Sequence, residues 1–102
     1  MALAQATIGT SVTTIHTSSG QTATTAMFFM NDNASARTLD VHVVQNGATA
    51  AATNKIVKTI SIDGADTYVV NTEKLVLDNG DMIQCVASHA SSVYGTISSV
   101  TI

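Results

Sequence analysis

Short segments in which apolar and polar residues alternate recur along the chain, each ended by glycine, asparagine, aspartate or serine. A period of two with such punctuation marks half-buried β-strands. The cleanest run is Arg37 to Gln45, with Leu39, Val41 and Val43 facing inward and Thr38, Asp40 and His42 facing outward. Leu75 to Ser88 sets two apolar runs on either side of Asn79-Gly80, followed by Asp81. Asn-Gly is the dipeptide best suited to two successive positive-φ positions in a tight turn, so this stretch predicts an antiparallel β architecture.

The other segments extend the pattern. Ala2 to Ser19 holds two short apolar runs separated by Gly9, which predicts two short strands or one bent strand, with residues 1–19 forming an N-terminal arm or an edge strand. Gln21 to Asp32 ends in the continuous apolar run AMFFM, which needs cover on both faces and so predicts a central strand. In that strand Thr22, Thr24, Ala26, Phe28 and Met30 would share one face, and Ala23, Thr25, Met27 and Phe29 the other. Asn31 to Ala36 reads as a polar connection, and Asn46-Gly47 as a turn. Ala48 to Asn54 is too short and uncapped for a stable helix and reads as a loop. Lys55 to Asp63 would place Ile56, Ile60 and Ile62 on one face, with Lys58 interrupting. Asp63 to Asp66 turns into the strand Thr67 to Asn71, and Val93 to Ile102 is the last strand. Seven or eight antiparallel strands with no convincing helix predict an all-β sandwich, jelly-roll or Ig-like, with a closed barrel as the alternative.

At 102 residues the chain makes a single domain, 1–102, with one core. Hydrophobic residues form 45% of it, but there is no Trp, and Phe and Tyr number two each, so the core is built from light aliphatic side chains. Charged residues form 11%, where an average soluble domain carries about 25%. A surface so poor in charge, with a net of −3, is expected to face other protein. Four basic residues, Arg37, Lys55, Lys58 and Lys74, leave nucleic acid without an electrostatic footprint. A single cysteine excludes an internal disulfide and suits the reducing cytosol. Neither a secretory signal nor an apolar run near the roughly 18 residues of a membrane helix is visible, so no membrane partner is expected.

Candidate chemistry is sparse. His16, His42 and His89 stand on three separate segments, and no Ser/His/Asp constellation can be assembled among the many serines. Asp40 and His42 share a strand face, a pair rather than a metal site. Cys85 and His89 supply at most two ligands, and Cys85 reads as a small buried residue. Asp78-Asn79-Gly80-Asp81 and Asp63-Gly64-Ala65-Asp66 resemble fragments of calcium loops without the full ligand series, and Asp and Asn commonly cap turns in this way. No catalytic residue, metal or cofactor is therefore expected. For glycan binding only Tyr68 and Tyr94 offer platforms.

The segments AxxxTLDVHVV, KTISIDGADTYVV, KLVLDNGDMIQCVAS and the terminal VYGTISSVTI, spanning about residues 36–102, resemble short β-sandwich structural proteins of tailed-bacteriophage virions. Leu75, Leu77, Gly80, Asp81, Ile83 and Gln84 carry the LxLxxGDxI(Q) pattern that precedes the penultimate strand in that group. The resemblance implies a non-enzymatic virion building block on the capsid, neck or tail, whose partners are other virion proteins and itself as a homo-oligomer. Its interface is expected on Thr38, Asp40 and His42, in the Ala48 to Asn54 loop, including Ala48 and Ala52, and on the N-terminal segment. The alternative is a carbohydrate- or receptor-binding module of a fibre or baseplate.

Overall fold

The computed structural model describes residues 2–71 and 74–102. Among these residues nine strands form, where the alternation predicts seven or eight: β1 (Ala2–Ile8), β2 (Thr13–Thr17), β3 (Thr22–Asn31), β4 (Arg37–Val44), β5 (Lys55–Ile62), β6 (Thr67–Val70), β7 (Val76–Leu77), β8 (Met82–Ala87) and β9 (Val93–Thr101). A single 3-10 turn, Ala52–Asn54, interrupts the loop before β5. One sheet, sheet A, has the order β1-β9-β3-β6, with β7 also paired to β3; the other, sheet B, has the order β2-β8-β4-β5. All pairings are antiparallel. Setting β7 aside, this interleaving of early and late strands in two four-stranded sheets is the jelly-roll arrangement, not the Ig-like one or a closed barrel.

The chain changes sheets at Gly9, so Ala2 to Ser19 is two strands rather than an arm, and each is the edge of its sheet. The core lies between the sheets and is aliphatic, as the composition requires: Ile8, Met27, Leu39, Ile83 and Ile97 are buried around Phe29. β9 accommodates that ring through Gly95, which is paired with Phe29; a Cβ there would stand 2.8 Å from the Ile15 methyl and 3.4 Å from Phe29.

Two predicted facings are corrected by β-bulges. In β3 the register against β9 shifts between Thr24 and Ala26, so buried Thr22 and Thr24 lie on the same side as Met27, Phe29 and Asn31. The carbonyl of the inserted Thr25 accepts a hydrogen bond from Lys74 Nζ at 2.8 Å. In β5 the pairing with β4 skips Ile56 and then Lys58-Thr59, with Thr59 at φ 51°. Val57, Ile60 and Ile62 therefore turn toward the core while Ile56 is 49% exposed. An extra residue in one strand reverses the side chains beyond it, and alternation alone does not show where that happens. Asn31, expected in a polar connection, ends β3 fully buried. Its side-chain amide donates to the carbonyls of Ser35 and Ile62 at 2.9 and 3.0 Å, and its Oδ1 accepts the Asn33 N–H.

Asn79-Gly80 also differs from expectation. Gly80 has φ +86°, Asn79 is not at positive φ, and the Asp81 N–H donates to the Asp78 carbonyl at 3.0 Å, the pattern of a type II turn. The strands it joins pair in different sheets, β7 with β3 and β8 with β4 and β2. No hairpin twist has to be matched at that corner, so one positive φ suffices.

Candidate interaction surfaces

Thr38, Asp40 and His42 do project from the outer face of sheet B, but each is engaged within the chain. The Thr38 N–H donates to Ser88 Oγ at 2.9 Å. Asp40 accepts the Thr59 N–H and hydroxyl with one carboxylate oxygen, and Lys55 Nζ lies 3.7 Å from the other. His42, expected as a surface residue, is 6% exposed because the loop before β5 folds over it. Its Nδ1 lies 3.1 Å from the Ala51 carbonyl and 2.8 Å from Asn54 Oδ1. Asn54 Oδ1 already accepts the Ala51 N–H and Asn54 Nδ2 donates to Thr49, so both neighbours are acceptors and Nδ1 carries the proton. The loop and the strand face are thus one structural unit, from which Ala48 and Ala52 emerge exposed.

Asn79, Gly80 and Asp81 tie together one end of the sandwich. Asn79 Oδ1 accepts the Gly20 N–H, the Gly80 N–H reaches the Ser18 carbonyl, and the Asp81 carboxylate accepts the N–H groups of Asn46 and Asp78 at 2.9 Å each. Asp66 caps its own turn through the Thr67 N–H. These carboxylates serve backbone amides, and among the described residues no three His, Cys, Asp or Glu side chains cluster. Cys85 is fully buried, with its thiol pushed up to about 12 by desolvation, while His89 is exposed and bonded to Ser88. Tyr68 turns inward and stacks on Phe29 with ring centroids 6.5 Å apart, so it offers no open platform. Tyr94 stays on the outer face of sheet A, beside Met30 and Thr96 in a shallow cleft of about 480 Å³.

Charge is distributed unevenly along the chain. Every Asp, Glu, Lys and Arg lies between Asp32 and Asp81. No strand of sheet A carries one, and in sheet B the charged strand residues are Arg37, Asp40, Lys55 and Lys58, all on β4 and β5. Among the described residues the β1 and β2 strands therefore bring no Asp, Glu, Lys or Arg to their side of the sandwich. Among the described residues no strand of sheet A places a charged side chain on its outer face, Lys74 reaching only the Thr25 carbonyl from the β7 side, and that face exposes Phe28 (41%), Met30 (39%), Val69 (42%) and Leu3 (69%). Phe28 is paired to Val69 on one side and Thr96 on the other, and Thr96 to Gln5. One neutral row crosses the sheet. β3 is central as predicted, but the second cover that AMFFM calls for is not supplied by this chain. The signal was present in the spacing of charges along the sequence. No protein-family model matches the chain, and neither the curated proteins nor the solved structures contain a match to it.

Proposed function

We propose that the chain is a non-enzymatic structural protein of a tailed-phage virion, made in the host cytoplasm and assembling in many copies on the capsid as a decoration or cement protein, or at the neck or tail. The observation that carries the assembly reading is the charge partition: a jelly roll in which one sheet has no charged residue on its strands, with exposed apolar side chains on its outer face, is suited to being covered by protein. The virion assignment rests on the resemblance of residues 36–102 described above. Jelly rolls occur in capsid proteins as well as in lectins, so the fold is compatible with this reading and with the second one below.

Sedimentation velocity of the purified chain across concentrations, alone and with capsid, neck or tail proteins, tests the proposal. Self-association or co-sedimentation that persists in high salt is expected, because neutral contacts are little screened. The second reading, a carbohydrate- or receptor-binding module of a fibre or baseplate, draws on the cleft beside Tyr94. It predicts a monomer at every concentration whose melting temperature rises with a glycan, and loses that response in Tyr94→Ala.

A further inference from the structure

We infer that the free edge of β1 is a self-pairing site, at which two copies of this chain join antiparallel about a twofold axis and run their A sheets together. The inference rests on the assembly reading and specifies its contact. An edge strand presents unpaired N–H and C=O groups, and the ligand such a row fits is another extended backbone. Proteins guard such edges with charge, bulges or brevity, and three of the four edges here are guarded. β5 carries Lys55 and Lys58 and is bulged twice. β2 has five residues and a register shift between Thr14 and His16. The far edge of sheet A is divided between the four residues of β6 and the two of β7. Among the described residues β1 alone is unguarded: seven residues, ALAQATI, paired to β9 without a register break from Ala2↔Ser99 to Ile8↔Val93, with no charge and no proline.

The occupant is a second copy because the strand is complementary to itself. With Gln5 on the axis, antiparallel pairing brings Ala4 opposite Ala6 and Ala2 opposite Ile8 on the inner side and the Leu3, Gln5 and Thr7 row against its own image on the outer side, with no like charges opposed. The neutral outer faces then become one continuous surface. The wall that meets the axis is about 23 Å long for seven residues in a strand, and the molecule is 20 Å across its shortest extent. That gives roughly 460 Å² per partner, below the roughly 800 Å² of a standard stable interface. Pairing is thus weak and concentration-dependent, the regime in which repeated contacts add up in an assembly.

The experiment is sedimentation velocity over a concentration series for the parent, Leu3→Lys/Gln5→Lys, and Phe28→Lys/Val69→Lys, with circular dichroism confirming the fold of each; the altered side chains are all exposed. The parent is expected to dimerise, the β1 variant to weaken dimerisation roughly tenfold or more, and the β3/β6 variant to dimerise like the parent. Oxidation of Gln5→Cys should trap a covalent dimer, while Lys58→Cys should not. Association of the parent that ignores the β1 variant but is lost in the β3/β6 variant overturns the edge and leaves the assembly reading standing through the sheet face. A parent that stays monomeric at every concentration, alone and with virion proteins, overturns both.

Discussion

Asp40 and Thr59 hold each other across the β4–β5 pair: one oxygen of the Asp40 carboxylate accepts both the backbone N–H and the hydroxyl of Thr59, the residue of β5 forced to φ 51°. A β-branched residue in that region is strained, and the carboxylate compensates by binding the amide that the bulge removes from the ladder. Asp40→Ala is expected to lower stability by about 1–3 kcal/mol, and Asp40→Asn, which keeps an acceptor, by less. Lys55→Gln should change it by under about 1 kcal/mol, because that ion pair is long and partly solvated. Urea denaturation of the three variants measures this, and equal losses at Asp40 and Lys55 would assign the effect to charge rather than to the bulge.

Three glycines grade the tightness of the connections. A Cβ on Gly64 would stand 2.0 Å from the Ala34 carbonyl oxygen, a backbone atom that cannot step aside. On Gly80 it would meet the Asn46 side chain at 2.6 Å, and on Gly47 nothing within 4 Å, although both have positive φ. Thermal melts should therefore rank Gly64→Ala as the most damaging, Gly80→Val next, and Gly47→Val mildest with a backbone cost of about 1–3 kcal/mol. A Gly64→Ala protein that melts like the parent would show that this corner is looser than its geometry.

His16 gives stability a pH dependence. Its Nε2 is buried with no hydrogen-bond partner among the described residues, and desolvation lowers its pKa below the ordinary histidine value of 6.5. The residues around it, Ala2, Thr17, Ser19, Thr22, Ser99 and Thr101, bring no ionisable side chain. The unfolded chain then binds a proton at higher pH than the folded one, so stability is complete above about pH 6.5 and falls as pH drops from there toward the lowered folded value. Denaturation midpoints of the parent should decline over that window, and those of His16→Gln should decline less.

Cys85 should be silent. A fully buried thiol pushed up to about 12 holds almost no thiolate at pH 8. A thiol-specific disulfide reagent should label it only in denaturant, at the rate of global unfolding. Prompt labelling of the native protein would mean that β8 opens locally.

Strands and their order of burial were legible in the sequence because a half-buried sheet imposes period two over most of its length. Arg37 to Val41 behaves as the alternation says. What lay hidden were single insertions that reverse it. Lys58, which breaks the isoleucine series, was the visible trace of one bulge; nothing in TATTAMFFM marks Thr25 as another, since Thr and Ala fit either face. His42 and Asn31 were misplaced for a different reason: both are polar residues buried by long-range closure, one under a loop and one beneath a corner, and local pattern carries no information about such partners. The predicted turn at Asn79-Gly80 is present, but which sheets it joins depends on strands far away in sequence.

The pairing of Ile8 with Val93 has a consequence for biogenesis. Chains emerge from the ribosome N-terminus first, and β1 must wait for β9 before it has a neighbour; β3 waits for the same strand on one side. Sheet A therefore closes only after β9 has been made, and until then a neutral, alanine- and threonine-rich third of the chain is exposed without the charges that keep nascent strands apart. Slow synthesis, or a stall before β9, should favour inclusion bodies over folded protein.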